Sequence, residues 1–95
     1  MKNTSTFDAA DYLETNEDIA CFLADAFESG DPAHVTHALG VVARVRGMAE
    51  IAEKAQLNKT SLYRSLGEKG NPTIKTLMAI MSSVGVQLSA KPITD

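Results

Sequence analysis

The chain has 95 residues, which suits one small domain, and 44% of them are hydrophobic while only 5% are aromatic. Its single cysteine, Cys21, cannot form an internal disulfide, and no apolar run is long enough for a signal peptide or a membrane span. These features predict a small helical protein of the cytoplasm, whose modest core would gain stability from oligomerisation.

Charge is distributed unevenly along the chain, whose formal net charge is −3. Residues 1–31 contain eight acidic residues against one lysine, whereas residues 44–75 contain seven basic residues against three glutamates. This contrast indicates a different partner for each part, and the basic part suits a polyanion.

The first predicted helix begins after Thr15, which with Asp18 forms a variant of the capping box. Cys21 lies within the apolar pattern of this helix, and we expect its thiol to be buried. Ser29 and Gly30 end the helix. Its apolar face consists of Ile19, Phe22, Leu23, Ala26 and Phe27, which follow one another at helical spacing.

Four further helices are predicted in the rest of the chain. Asp31 and Pro32 begin the second helix as N-cap and first helical residue, and Gly47 ends it. Two short helices follow, over about residues 48–55 and 59–68. Gly70 ends the second of these, and Asn71 and Pro72 are predicted to begin the last helix, which ends at Gly85. Its apolar face is expected to contain Ile74, Leu77, Met78, Met81 and Val84.

The C-terminal segment "VQLSAKP" alternates apolar and polar residues, with Val86, Leu88 and Ala90 on one side. This alternation predicts a short strand or an extended tail. An exposed edge strand needs covering, so the segment also favours dimerisation.

The two short helices and the turn between them predict a helix-turn-helix motif. Ala52 falls where the helices cross and a small side chain is needed. Leu62 follows ten residues later, where a branched aliphatic side chain can pin the second helix to the first. Asn58 is placed to cap the second helix through its side chain.

The second helix of such a motif enters the major groove of DNA, and residues near its N-terminus reach base edges. Lysine and arginine can donate to guanine, while hydroxyl groups can reach bases or phosphates. An ordinary solvated surface would have the same residue types, and the motif alone does not decide between the two; the basic excess over residues 44–75 favours DNA. With Leu62 and Leu66 directed inward, the outward residues are Lys59, Thr60, Ser61, Tyr63 and Arg64.

The sequence offers no set of residues for catalysis. His34 and His37 could share a helix face, but without a nearby cysteine or carboxylate set they make a poor zinc site. No nucleophile with a base partner and no glycine-rich phosphate loop is evident. We therefore expect neither an enzyme nor a bound metal or cofactor.

Three segments carry a resemblance that covers nearly the whole chain: "FDAADYLETNEDIACFLADAFESGDP", "ALGVVARVRGMAEIAEKAQLNKTSLYRSL" and "GNPTIKTLMAIMSSVGVQLS". In this order they resemble the small antitoxins of the addiction-module antidote type. These belong to the wider Xre/Cro-like (phage-repressor) helix-turn-helix superfamily, and their toxin partners are RelE/ParE-like proteins.

The resemblance implies an all-α fold, a small five- to six-helix bundle of the phage-repressor-like helix-turn-helix type with a short C-terminal strand or extended tail. Residues 1–31 would form an acidic helical segment of the same domain, and residues 32–95 the DNA-binding core. The resemblance also implies a homodimer that binds a palindromic operator of its own operon and holds a toxin inactive.

The superfamily's base-reading positions map onto Lys59, Thr60 and Arg64. The neighbours Asn58, Ser61 and Tyr63 would touch the DNA backbone. The loop after the second helix commonly contacts phosphate in this superfamily, which makes Lys69, Asn71 and Thr73 candidates and Lys75 a weaker one. Gln56 departs from the pattern because the turn usually has glycine there; a positive φ at a non-glycine residue costs on the order of 1 kcal/mol.

The acidic N-terminal part has two interpretations. It is either a solvated helix face or a surface that attracts a basic toxin, because opposite charge speeds encounter and selects the partner. The resemblance does not specify the toxin-contact residues, and we expect them within residues 7–28. The alternative function is a phage-type repressor without a toxin partner, although a minimal repressor needs little chain before its helix bundle.

Overall fold

The computed structural model describes residues 11–94, and its regular structure consists of five α-helices. In chain order these are α1 (Asn16–Glu28), α2 (Pro32–Arg46), α3 (Met48–Ala55), α4 (Lys59–Ser65) and α5 (Ile74–Ser83). The all-helical prediction is therefore confirmed with five helices in the described part of the chain. None of these helices is long and apolar enough to cross a membrane.

The first two helices begin as their capping residues predict. The Thr15 hydroxyl accepts from the Asp18 backbone N–H at 3.0 Å, and the Asp18 carboxylate accepts from the Thr15 N–H at 3.1 Å. The Thr15 N–H is the main reason that the pKa of Asp18 lies below its usual value. Asp31 accepts from the Ala33 N–H at 3.0 Å, with Pro32 in the first turn of α2.

The core lies where α3 packs against α2, α4 and α5, while α1 covers α2. Each fully buried aliphatic side chain contributes roughly 1.5–3 kcal/mol relative to exposure. Every helix supplies at least one of them, so the five helices share one core. The largest fully buried side chains are Leu13, Ile19, Leu23, Leu39, Val42, Ile51, Leu62, Ile80 and Val84.

Two predicted core positions are wrong on α5. Ile74 is 64% exposed and Met78 51% exposed, although both fit the helical apolar pattern. Ile80, which the predicted face omits, is fully buried. The inward side of α5 is therefore rotated toward Ile80, and this rotation leaves an apolar stripe on the outside of the helix.

The buried thiol predicted at Cys21 is also wrong, because Cys21 is exposed. It lies two residues after Ile19 and two before Leu23, both of which are buried. At about 100° per residue, a two-residue step places it on the opposite side of α1 from these two. The apolar stripe of α1 is thus narrower than its composition suggests.

Of the two predictions for the C-terminal segment, a short strand or an extended tail, the strand is absent from the described residues, where the segment 86–94 has no regular structure. Val86 and Leu88 pack against the core, as the alternation requires, but no second backbone segment lies alongside to pair with them. The tail is held to α1 by an ion pair of 2.6 Å between Lys91 Nζ and Glu28 Oε2. Hydrogen bonding and charge in this pair lower the pKa of Glu28 and raise that of Lys91.

Candidate nucleic-acid interface

The turn between α3 and α4 is fixed by two backbone hydrogen bonds. The Leu57 N–H donates to the Ala52 carbonyl at 2.8 Å, and the Gln56 N–H donates to the Glu53 carbonyl at 3.2 Å. Together they form a Schellman motif, which requires the first residue after the helix, here Gln56, to be left-handed. Gln56 has φ 59° and ψ 44°, so the chain adopts the turn that usually contains glycine, at a cost on the order of 1 kcal/mol.

Asn58 begins α4. Its Oδ1 accepts from the Thr60 N–H at 2.8 Å and from the Ser61 N–H at 3.2 Å. These bonds confirm the predicted cap and satisfy two of the free donors of a helix only seven residues long. Because Oδ1 serves the cap, the amide NH₂ of Asn58 is the part of the side chain left to meet another molecule.

The orientation of α4 follows from two leucines. Leu62 is fully buried and Leu66 is 4% exposed, so both are directed into the core. The opposite side of the helix faces solvent and has no acidic residue. The exposed residues of this side are Lys59, Thr60, Ser61, Tyr63 and Arg64, as the sequence predicts.

The segment after α4 folds back against the end of the helix. The Gly70 N–H donates to the Gly67 carbonyl at 2.9 Å, and a Cβ at Gly70 would clash with the Ser65 carbonyl. Only glycine fits this approach of backbone to backbone. The approach holds Lys69 and Asn71, which are both exposed, at a fixed place beside α4.

Thr73, the third phosphate-contact candidate in this loop, makes hydrogen bonds at the start of α5. Its hydroxyl accepts from the Thr76 backbone N–H and donates to the Thr76 hydroxyl, both at 3.1 Å. It is therefore the N-cap of α5. A phosphate contact at this position would have to share the hydroxyl with the cap.

The cations of this surface have no acidic partner in the described part of the chain. Its two ion pairs join Lys54 to Glu50 and Lys91 to Glu28. Lys59, Arg64 and Lys69 lie outside both pairs, and all three are exposed. Their charge is consequently available to an external anion, for which no internal salt bridge would have to break.

One basic residue near this surface is missed by sequence reasoning. A shallow cavity of about 370 Å³ lies between α2 and the segment after α4, and Arg44, His37 and Glu68 are among its lining residues. The Arg44 guanidinium lies over Gly40, a buried glycine of α2, close to the Leu66 carbonyl at the end of α4. The spacing of four residues between Gly40 and Arg44 is the signal in the sequence, since it places both on one helix face.

Histidines and other metal-binding groups form no site here. His34 and His37 are both exposed on α2, and residues 11–94 contain no cluster of three or more histidine, cysteine or carboxylate side chains that could hold an ion.

Comparison with known proteins identifies the family. The family model described as "Probable addiction module antidote protein" matches residues 3–92. The chain belongs to this antidote family. An uncharacterized protein of Haemophilus influenzae is similar to it, with 33% identity over 85 residues, which cover 90% of this chain and 88% of that protein. No solved structure matches.

Membership in the antidote family indicates an antitoxin role in an addiction module and implies a toxin partner. Antidotes of addiction modules are typically non-enzymatic. The comparison assigns no role to any single residue of α4 or of the loop that follows it.

Proposed function

We propose that this chain is the antitoxin of a type II toxin–antitoxin module. It binds and neutralises a RelE/ParE-like toxin, and as a homodimer it represses its own operon by binding operator DNA. The observation that carries the DNA-binding half is the exposed, acid-free face of α4, which buried Leu62 and Leu66 hold outward in a protein of the antidote family.

In this proposal α3 and α4 are the two helices of a helix-turn-helix of the Xre/Cro-like type. α4 enters the major groove, where Lys59, Thr60 and Arg64 read base edges. Asn58, Ser61 and Tyr63 contact the backbone beside them. Lys69 and Asn71 bind phosphates from the loop, and Thr73 does so only while it also caps α5.

The toxin-binding half rests on charge. The outer side of α1 has the exposed acidic residues Glu17 and Asp25, while Glu28 at its end is paired with Lys91 of the tail; no basic residue lies within the helix. A basic toxin would be attracted to this surface, which is the described part of residues 7–28; residues 7–10 lie outside the described residues. Toxin and DNA then occupy oppositely charged parts of one small protein.

The first experiment tests the toxin-binding half. The chain is co-expressed with the protein encoded by the adjacent reading frame, and either one is purified by a tag. We expect the two to co-elute and the neighbour alone to stop growth. A harmless neighbour that does not bind would favour the alternative, a phage-type repressor without a toxin partner.

A second experiment tests the DNA-binding half with matched variants. Arg64→Ala should weaken binding to the chain's own upstream DNA by roughly 1–3 kcal/mol, and should weaken binding to random DNA much less. Lys69→Ala should weaken binding to both DNAs alike and reduce the salt dependence. Equal losses on specific and random DNA for both variants would contradict base reading by Arg64.

A further inference from the structure

A wide cleft lies where the ends of four helices meet, at the start of α1 and the ends of α2, α3 and α5. Its volume is about 620 Å³, which falls within the range of small-molecule sites. The cleft shares no residue with the outward face of α4 or with the loop that follows α4. It is therefore separate from the candidate nucleic-acid interface.

The lining of the cleft is rich in hydrogen-bond donors. None of its lining residues is acidic, although the chain as a whole has a net charge of −3. Such a lining suits a ligand with a negative charge and several acceptor oxygens, and it suits neither a cation nor a purely apolar molecule. The polar residues of the lining are Asn16, Arg46, Lys54, Gln56, Ser82 and Ser83.

The guanidinium of Arg46 is held in the cleft by residues that are distant in the sequence. Arg46 Nη2 donates to Asn16 Oδ1 at 3.3 Å, and no other side chain of residues 11–94 accepts from it. The Asn16 side chain in turn lies against Gly85, where a Cβ would clash with it. Gly85 also has φ 77°, so glycine is needed there on both counts. Because a guanidinium has five N–H donors, most of those of Arg46 remain for a ligand.

Arg46 and Lys54 already act on one carboxylate, that of Glu50. Lys54 Nζ lies 2.9 Å from Glu50 Oε2, and this hydrogen bond and charge lower the pKa of Glu50, with a smaller contribution from the charge of Arg46. The two cations therefore lie close enough to share an anion. The pair of Lys54 and Glu50 is exposed and joins residues four apart on one helix, so it contributes little to stability. Lys54 can leave Glu50 for an anion in the cleft at small cost.

We propose that this cleft binds the phosphate group of a small phosphate monoester. Near neutral pH such a group carries close to two negative charges, which match the charges of Arg46 and Lys54. The planar guanidinium of Arg46 can donate two parallel hydrogen bonds to two phosphate oxygens. The Gln56 amide and the Ser82 hydroxyl are the donors for the remaining oxygen.

The size of the cleft indicates an organic group beyond the phosphate. A phosphate alone would leave most of the volume to water, whereas Ala55, Ala79 and Val84 form a small apolar wall on which an organic group can lie. A carboxylate or a phosphodiester brings a single charge and would leave one of the two cations unmatched. The proposal depends neither on DNA nor on a toxin.

Calorimetric titration and amide NMR spectra of the chain alone test the proposal. The probes are AMP, cyclic AMP, adenosine and inorganic phosphate at constant ionic strength and about pH 8, where the monoester is doubly charged. We expect AMP to bind with a Kd of about 0.1–3 mM, cyclic AMP at least about 10-fold more weakly and adenosine not at all. The amide signals of Asn16, Gln56 and Ser82 should move on addition of AMP.

Matched variants locate the site. Arg46→Gln should weaken AMP binding by at least about 10-fold. Arg44→Gln removes the same charge from the same helix, but Arg44 lines the other cavity, so this variant should bind AMP less than about 3-fold more weakly than wild type. Glu50→Gln should strengthen binding, because it releases Lys54 and removes a nearby negative charge. Circular dichroism checks the fold, and Glu50→Gln, at an exposed position, keeps the test open if Arg46→Gln does not fold.

Several outcomes would overturn the proposal. These are no binding of AMP up to about 20 mM, equal affinity for AMP and cyclic AMP, and equal losses in Arg46→Gln and Arg44→Gln. Inorganic phosphate that binds as tightly as AMP would contradict the organic part of the ligand. Loss of DNA or toxin binding would change none of these results, so the proposal and the proposed function fail separately.

Discussion

Asn58 allows the cap of α4 to be separated from the charge that α4 would present to DNA under the proposed function. Its Oδ1 accepts two backbone hydrogen bonds, of 2.8 and 3.2 Å, at the start of a seven-residue helix. Aspartate can accept the same bonds, whereas alanine cannot. Asn58→Asp and Asn58→Ala therefore change the cap and the surface charge independently.

The expected changes follow from these contacts. Asn58→Ala should lower the free energy of unfolding by about 1 kcal/mol, or lower the melting temperature by about 4–8 °C for a domain of this size. Asn58→Asp should keep or slightly raise the stability, because a negative charge is favourable at a helix N-terminus. A phosphate about 6 Å from that carboxylate would be repelled by roughly 0.7–3 kcal/mol, which is about 3- to 100-fold in affinity.

Thermal unfolding by circular dichroism measures the stability of the three proteins. Fluorescence anisotropy with the chain's own upstream DNA, at one fixed salt concentration, measures affinity. An Asn58→Asp protein that is as stable as wild type and binds DNA equally well would refute the placement of this helix end against phosphate. A loss of stability as large as that of Asn58→Ala would refute the account of the cap.

Three further predictions concern stability. Gln56→Gly should raise the free energy of unfolding by up to about 1 kcal/mol in urea titrations, because relief of the left-handed strain exceeds the added chain entropy; a fall would contradict the strain argument. Leu62→Ala should cost about 3–5 kcal/mol, and its neighbour Tyr63→Ala, at an exposed position, should cost far less. The pKa of Asp18 is lowered in the folded chain. The contribution of its carboxylate to the free energy of unfolding is therefore complete above its usual pKa of 3.8, and it is lost as the pH falls through the lower folded value. Asp18→Asn should flatten this acid dependence of the unfolding free energy, and an unchanged slope would show that the carboxylate contributes nothing.

Most of the fold could be predicted from the sequence because its signals are local. Thr15, Asp31 and Asn58 each cap a helix, and each appears in the sequence directly before an apolar pattern at helical spacing. The left-handed residue at Gln56 was indicated by the family resemblance alone, in which this turn usually has glycine, and not by the local pattern. The outward set on α4 follows from the two leucines that are directed inward.

The remaining features depend on the packing of distant segments. Cys21 and Met78 fit an apolar helical pattern, but which edge of a stripe is covered depends on the neighbouring helices. The tail alternates like a strand, yet a strand needs a second backbone beside it, and none lies there in the described chain. The spacing of Gly40 and Arg44 places both on one face of α2, but it does not reveal that the end of α4 lies beside that face.

The contact between Gly70 and the Ser65 carbonyl has a consequence for how such modules diverge. It holds the loop by backbone alone, while the outward side chains of α4 contribute nothing to the core. Lys59, Thr60 and Arg64 can therefore be exchanged with little loss of stability, whereas position 70 must remain glycine. Under the proposed function, duplicated copies within one genome would acquire different operators by a few such exchanges, and each copy would then no longer repress the operons of the others.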